Sequence, residues 1–123
     1  TPANQPNDSV KIQVIQGGRA RDKRAQGFPA IPLERTTMTG LHHGDGTLSM
    51  ARGGPDTGTD AFFITIGDQP ALDFAGHRNL DGQGFAAFGR VTKGLDVVRK
   101  IQLQPANGQA LTTPVLILRI VRR

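Results

Sequence analysis

Few side chains in this chain have the types and spacing that nucleophilic, acid–base or metal chemistry requires. The sequence contains no cysteine, which excludes a thiolate nucleophile and a thiolate metal site. Two of its three histidines, His43 and His77, are interpreted as ordinary surface residues, and no His lies at metal-ligand spacing from an Asp or Glu. Asp56 and Asp60 enclose a Thr-Gly-Thr segment and are interpreted as turn residues rather than as a catalytic carboxylate pair. Any activity is therefore expected to depend on a binding surface.

The elements that would carry such a surface are mainly β-strands. Val10–Gln16 alternates between apolar and polar residues, which predicts a strand with Val14 and Gln16 on the same face. Further strands are predicted at Thr47–Ala51, Ala61–Ile66, Phe85–Val91 and Val115–Val121, and an amphipathic helix at Thr92–Gln102 with Thr92 as its N-cap. Because alternate strand residues must fill an interior, the predicted core includes Met50, Phe62, Ile64 and Phe88. The pattern predicts a mainly β, antiparallel fold that closes as a sandwich or barrel.

Length and composition predict one domain that occupies residues 1–123. The chain has 16 glycines and 8 prolines, and they cluster between apolar runs, which is typical of turns in a β-rich fold. No apolar run approaches the length of roughly 18 residues that a membrane span needs. We therefore expect no membrane partner, and the compartment stays open between cytoplasm and periplasm.

The net charge is +5, and part of it lies in one basic cluster. The cluster consists of Arg19, Arg21, Lys23 and Arg24. Such a cluster could follow the phosphates of a nucleic acid. No aromatic residue is interleaved with it, however, and the chain has no Trp or Tyr on which bases could stack. We interpret the cluster as a solvated loop and expect no nucleic-acid partner.

Two segments carry a long, ordered motif. Residues 46–72 are GTLSMARGGPDTGTDAFFITIGDQPAL, and residues 85–91 are FAAFGRV. Together they resemble the peptide-binding half of the cyclophilin-type peptidyl-prolyl cis-trans isomerases, whose pattern is roughly GxLSMAxxGPxTxxxxFFI, then Leu-Asp, then FGxV. The resemblance extends over about residues 10–102. It implies a divergent, bacterial-like member whose fold is a closed antiparallel β-barrel with capping helices.

The same resemblance implies that the chain is N-terminally incomplete. The catalytic arginine of the family precedes the Gln-Gly-Gly strand in a Phe-x-Arg setting, and nothing between Thr1 and Lys11 matches it. We expect the first two strands and the first helix of the barrel to lie outside this chain, and we assign no catalytic residue. Val115–Val121 would then be an unpaired apolar edge within this chain. The absent segment, a second copy or strand exchange would cover it.

Residues that form the proline pocket follow from the resemblance. Phe63 and Leu72 match the walls of the family's proline site, and an aromatic face and a branched aliphatic suit a pyrrolidine ring. Val14 replaces the usual methionine with a smaller wall, and Gln16 matches the glutamine that helps to hold the substrate carbonyl. His42 matches a family histidine and is interpreted as a hydrogen-bonding structural residue.

The remaining substrate-binding residues lie beside this pocket. Ala51 and Arg52 match the segment that pairs with the substrate backbone, and Gly53 could form part of the neighbouring pocket. Ala61 stands where the family commonly has a glutamine, and Phe85 where it commonly has a histidine. At these two positions the site departs from the family pattern.

The function implied by the resemblance is isomerisation of Xaa-Pro bonds in polypeptides, which assists protein folding. Proline-containing peptides or unfolded polypeptides would be the partners, and the reaction needs no cofactor. An alternative is a proline-peptide binding module of the same fold with weak or no catalysis, as Ala61 and Phe85 would suggest. A third hypothesis is a basic β domain that binds nucleic acid.

Overall fold

The computed structural model describes residues 1–19 and 27–122. Three members of the predicted basic loop, Arg21, Lys23 and Arg24, lie outside the described residues. Arg19, its fourth member, forms an ion pair with Asp60 at 2.5 Å. Among the described residues, no helix has the length and apolar character needed to span a membrane.

Short antiparallel strands dominate the structure. The described strands are β1 (Val14–Gly17), β2 (Thr47–Met50), β3 (Phe62–Thr65), β4 (Ala87–Arg90), β5 (Ala106–Asn107) and β6 (Ala110–Leu111). The first four form one sheet in the order β1-β3-β2-β4, and the last two form a separate hairpin. The helices are α1 (Thr36–Thr39) and α2 (Leu95–Gln102), with 3₁₀ turns at Pro2–Asn4 and Pro70–Leu72. The mainly β prediction is confirmed.

The strands and the helix are shorter than the sequence predicts. The run Val10–Gln16 becomes β1 only from Val14, because residues before it pair with loop groups instead of a neighbouring strand. The helix begins at Leu95, after Gly94 in the left-handed region at φ 92°, so the prediction of Thr92 as N-cap was wrong. A glycine adopts this φ without steric cost, and the chain can therefore turn into the helix at this position.

The prediction of a final strand at Val115–Val121 was wrong for this structure. Residues 114–122 form neither strand nor helix, and their apolar side chains are exposed. The segment passes beside the edge strand β1, since a Cβ placed on Gly17 would lie 3.2 Å from Ile117 Cδ1, yet it forms no ladder with that strand. The sheet of the described residues is therefore open and not a closed barrel, because its edge strands β1 and β4 have no further partner there.

The core lies on one face of the sheet and against a loop. Phe63, Leu72 and Phe85 form the buried cluster. The predicted interior residues lie on the other face of the sheet: Met50, Phe62 and Ile64 are half-buried, and Phe88 is 50% exposed. Because strand residues alternate between faces, burying Phe63 turns Phe62 and Ile64 away from this cluster. The prediction of Phe88 as a core residue was wrong.

Candidate functional site

One cavity of about 220 Å³ brings together most of the predicted site residues. Its lining includes Val14, Gln16, Ala51, Arg52, Phe63, Leu72 and Phe85. Gly53 and Ala61 are not among the lining residues. Gly53 is exposed and its N–H donates to Thr57 Oγ1, while the carbonyl of Ala61 accepts from the N–H of Ala51 at 2.9 Å. Both therefore lie beside the cavity rather than in its wall.

The apolar wall of the cavity consists of three side chains from three different segments. Phe63 comes from β3, Leu72 ends a 3₁₀ turn that starts with Pro70, and Phe85 lies two residues before β4. The rings of Phe63 and Phe85 meet edge to face, with centroids 5.3 Å apart and an interplanar angle of 88°. The N–H of Phe85 donates to the carbonyl of Leu72 at 2.9 Å. This arrangement gives a rigid concave surface of aromatic and aliphatic carbon.

Strand register places a polar side chain at the border of this surface. Gln16 on β1 lies directly opposite Phe63 on β3, and Phe63 in turn lies opposite Ser49 on β2. Gln16 is exposed at the cavity, as the predicted alternation with Val14 requires. The side-chain amide of Gln16 is thus available to a ligand that occupies the apolar wall.

The side chain of Arg52 is bound to a loop of the protein. Its guanidinium forms a two-pronged pair with Asp81, at 2.8 and 2.9 Å, and donates to the carbonyl of Gly84. It also lies 4.9 Å from the ring centroid of Phe85, a cation–π contact. The hydrogen bond from Arg52 lowers the pKa of Asp81 to about 2. With its side chain only 2% exposed, Arg52 fixes the loop that precedes Phe85.

A buried polar chain lies behind the apolar wall. His43 Nδ1 lies 2.6 Å from Asp73 Oδ1, and His43 Nε2 lies 2.8 Å from Ser49 Oγ. The imidazole stacks on Phe63, with ring centroids 6.0 Å apart and an interplanar angle of 19°. His43 is therefore a buried residue, and its interpretation as a surface histidine was wrong. His77 is exposed, and His42 forms the predicted structural hydrogen bond, to Asp73 Oδ2 at 3.0 Å.

The protonation states of His43 and Asp73 follow from burial and hydrogen bonding. Burial lowers the pKa of His43, and the hydrogen bond to Asp73 opposes the shift without cancelling it. Although burial raises the pKa of Asp73, the hydrogen bonds from His43 and His42 hold it below its ordinary value. These shifts fit a neutral imidazole whose Nδ1–H donates to the carboxylate and whose Nε2 accepts from the Ser49 hydroxyl.

The order Asp73–His43–Ser49 is that of a hydrolase triad, but its placement excludes that chemistry. Ser49 is completely buried, and it is not among the residues that line the cavity. A nucleophilic serine must reach a substrate carbonyl, which Ser49 cannot do in this position. The hydrogen-bonded series Asp73–His43–Ser49 instead connects β2 with the residue after Leu72 and supports the Phe63 ring.

Three lining residues were missed by the sequence analysis: Ile12, Arg78 and Asn79. Ile12 shares the predicted strand face with Val14 and Gln16, so the alternation could have identified it. Arg78 and Asn79 lie in a long loop between Leu72 and Phe85, which has no periodicity that predicts where its side chains point. Arg78 donates to the carbonyl of Val10 at 2.7 Å and pairs with Asp8 at 3.1 Å.

Comparison with known proteins adds independent information about the chain. Residues 7–122 match the family model described as cyclophilin type peptidyl-prolyl cis-trans isomerase/CLD. A peptidyl-prolyl cis-trans isomerase of Acinetobacter baylyi is 38% identical over 95 residues, which cover 76% of this chain and 48% of that protein. Peptidyl-prolyl cis-trans isomerase B of Escherichia coli is 38% identical over 90 residues, which cover 72% of this chain and 54% of that protein.

A eukaryotic relative aligns over more of the chain. The peptidyl-prolyl cis-trans isomerase-like 1 protein of Neurospora crassa is 37% identical over 119 residues, which cover 92% of this chain and 68% of that protein. With respect to the two bacterial relatives, the chain spans about half of their length. The family match covers nearly the whole chain, and the cavity lies within it. The chain belongs to the cyclophilin-type peptidyl-prolyl cis-trans isomerase family.

Proposed function

We propose that the protein is a peptidyl-prolyl cis-trans isomerase that acts on Xaa-Pro bonds of polypeptides and assists their folding. The observation that carries this proposal is the cavity in which Phe63, Leu72 and Phe85 form an apolar wall beside the exposed side chain of Gln16. Its substrates are proline-containing peptides or unfolded chains. The names of the bacterial relatives support the same activity.

The chemistry of the reaction matches such a cavity. Rotation about an Xaa-Pro bond meets a barrier of roughly 20 kcal/mol that arises from amide resonance, and it requires no covalent intermediate. A catalyst must hold the proline ring, hold the flanking backbone and favour the twisted amide over the planar one. In our proposal Phe63, Leu72, Val14 and Phe85 hold the ring, and Gln16 holds a substrate carbonyl.

The substrate backbone is proposed to run beside this pocket. Ala51, Arg52 and Gly53 form a segment that extends from β2, and Ala61 pairs with it through its carbonyl. We propose that this segment borders the bound peptide, with Gly53 and Ala61 at a neighbouring position outside the proline cavity. Since the guanidinium of Arg52 is held by Asp81 and Gly84, only the backbone of Arg52 would contact the peptide.

We further propose that residues 1–123 form a single domain whose sheet closes into a barrel in the assembled protein. The open edge at β1 and the exposed apolar side chains of Val115–Val121 support this, because unpaired apolar edges favour further strand pairing. Two additional strands and a helix outside this chain, or strand exchange with a second copy, would satisfy the edge. Sedimentation of the protein at micromolar concentration tests the second route: a monomer would exclude strand exchange.

A prolyl-isomerisation assay tests the proposed function. The cis–trans exchange rate of acetyl-Ala-Ala-Pro-Ala-amide, measured by NMR exchange spectroscopy, should rise well above the uncatalysed rate when the protein is added. Phe63→Ala should abolish most of the acceleration. Phe88→Ala is the matched control, because Phe88 lies outside the cavity and is 50% exposed. Binding without acceleration would indicate a binding module of the same fold, which the relatives do not favour, and no binding at all would reject the proposal.

A further inference from the structure

Two side-chain amides line the cavity, although only one of them was predicted as a site residue. Gln16 lies on β1, and Asn79 lies in the loop between Leu72 and Phe85. Within the described residues, neither side-chain amide forms a hydrogen bond to another protein group. Each amide carries two N–H donors and one carbonyl acceptor. The cavity therefore offers two free hydrogen-bonding groups beside an apolar wall.

The backbone that carries Asn79 is fixed on both sides. The N–H of Arg78 donates to the carbonyl of Ala71 at 3.2 Å, and the carbonyl of Asn79 accepts from the N–H of Gly82 at 3.1 Å. The Arg78 guanidinium is bound to the carbonyl of Val10. Because the loop is already ordered, a ligand that bonds to the Asn79 amide pays only for fixing one short side chain.

Other polar groups at the cavity are already occupied. The Arg52 guanidinium is held by Asp81 and Gly84, and the Arg78 guanidinium by Val10 and Asp8. A peptide whose proline ring fills the apolar wall brings backbone N–H and C=O groups into the same space. These groups lose water on binding and need new partners.

We propose that Asn79 is a substrate-contacting residue, whose side-chain amide forms a hydrogen bond to the peptide backbone next to the bound proline. This proposal rests on the proposed function, since it takes the proline peptide as the ligand of the cavity. Gln16 and Asn79 then hold the backbone from two different segments, a strand and a loop. Ligands that have the ring but lack the flanking peptide backbone would gain no affinity from Asn79.

The test is a binding titration of the protein and two variants with acetyl-Ala-Ala-Pro-Ala-amide, followed by NMR. Asn79→Ala should raise the Kd about fivefold, the effect of one net hydrogen bond. Asn107→Ala is the matched control, because this exposed asparagine lies in the β5–β6 hairpin and not at the cavity. Its Kd should equal that of the unmodified protein.

A second ligand separates direct contact from a change in the shape of the pocket. N-acetylpyrrolidine has the ring and the carbonyl of the Xaa-Pro bond but no further backbone N–H or C=O group, so Asn79→Ala should leave its affinity unchanged. Equal weakening of both ligands, or an unchanged Kd for the peptide, would overturn the role of Asn79 while the proposed function stands. If the unmodified protein binds neither ligand, the proposed function itself fails.

Discussion

Two apolar regions of this molecule have similar residue types and opposite environments. Leu72 in the Phe63–Leu72–Phe85 cluster is completely buried, whereas Leu118 in Val115–Val121 is 87% exposed. The cluster is formed by three segments that hydrogen bonds connect, such as the one from the Phe85 N–H to the Leu72 carbonyl. The C-terminal segment has no such partner among the described residues. Burial here depends on what faces a residue and not on its hydrophobicity alone.

The buried region is also the region with polar support. Asp73, His43 and Ser49 form a continuous chain directly behind Phe63. Satisfied buried polar groups fix one arrangement of the elements that carry them, because any other arrangement leaves a donor or acceptor without a partner.

The largest effect is expected from deleting the centre of the cluster. Leu72→Ala should lower the free energy of unfolding by about 2–5 kcal/mol, because it leaves a cavity among packed side chains. Leu118→Ala, the matched control, should change it by less than about 0.5 kcal/mol, since an exposed leucine loses little on truncation. Urea denaturation followed by circular dichroism measures both. Equal losses would contradict the distinction between the two regions.

The next effect concerns the polar chain. His43→Ala should cost about 1–3 kcal/mol, because it leaves the Ser49 hydroxyl and the Asp73 carboxylate without their buried partner. The same substitution at exposed His77 should be nearly neutral. Peptide binding should weaken in His43→Ala alone, since the imidazole supports the Phe63 ring. If His43→Ala left the free energy of unfolding unchanged, the hydrogen bonds of Asp73, His43 and Ser49 would not stabilise the fold.

A smaller effect is expected at the loop before Phe85. Arg52→Met should weaken peptide binding and increase the amide hydrogen exchange of residues 81–84, because the bonds to Asp81 and Gly84 are lost. Arg52→Lys keeps the charge but not the two-pronged geometry, so it should restore binding only in part. Arg99→Met, which removes a surface pair with Asp45, is the control and should change neither quantity. If Arg52→Lys restored peptide binding in full, the charge of Arg52 alone would account for its role.

The smallest effect is a pH dependence. Burial lowers the pKa of His43 from its ordinary value of 6.5. As the pH falls, the unfolded chain therefore takes up a proton at His43 at a higher pH than the folded protein does. The contribution of His43 to the free energy of unfolding should therefore be constant above about pH 6.5 and decrease as the pH falls below it. His43→Gln should remove this slope between about pH 7 and pH 5, and His77→Gln should keep it. A slope that persists in His43→Gln would assign the titration to another group.

Much of the site could be predicted from local patterns. The alternation of Val14 and Gln16 and the long motif around Phe63 gave side chains that do line one cavity. The roles of Arg52 and His43 could not be predicted, because their partners Asp81 and Asp73 are distant in sequence and carry no periodic signal. Asn79 was missed because it lies in a long loop without periodicity. The strand expected at Val115–Val121 failed because β-propensity describes how a residue fits a sheet and does not supply a neighbouring strand.

Proline recognition by the cavity is tested most directly by a titration of isotope-labelled protein with acetyl-Ala-Ala-Pro-Ala-amide, with acetyl-Ala-Ala-Ala-Ala-amide as the control ligand. We expect that the proline peptide shifts the resonances of Phe63, Leu72, Phe85 and the Gln16 amide, and that the control peptide does not. Shifts that are absent from these four residues, or equal for the two peptides, would contradict the claim that this cavity recognises a proline ring.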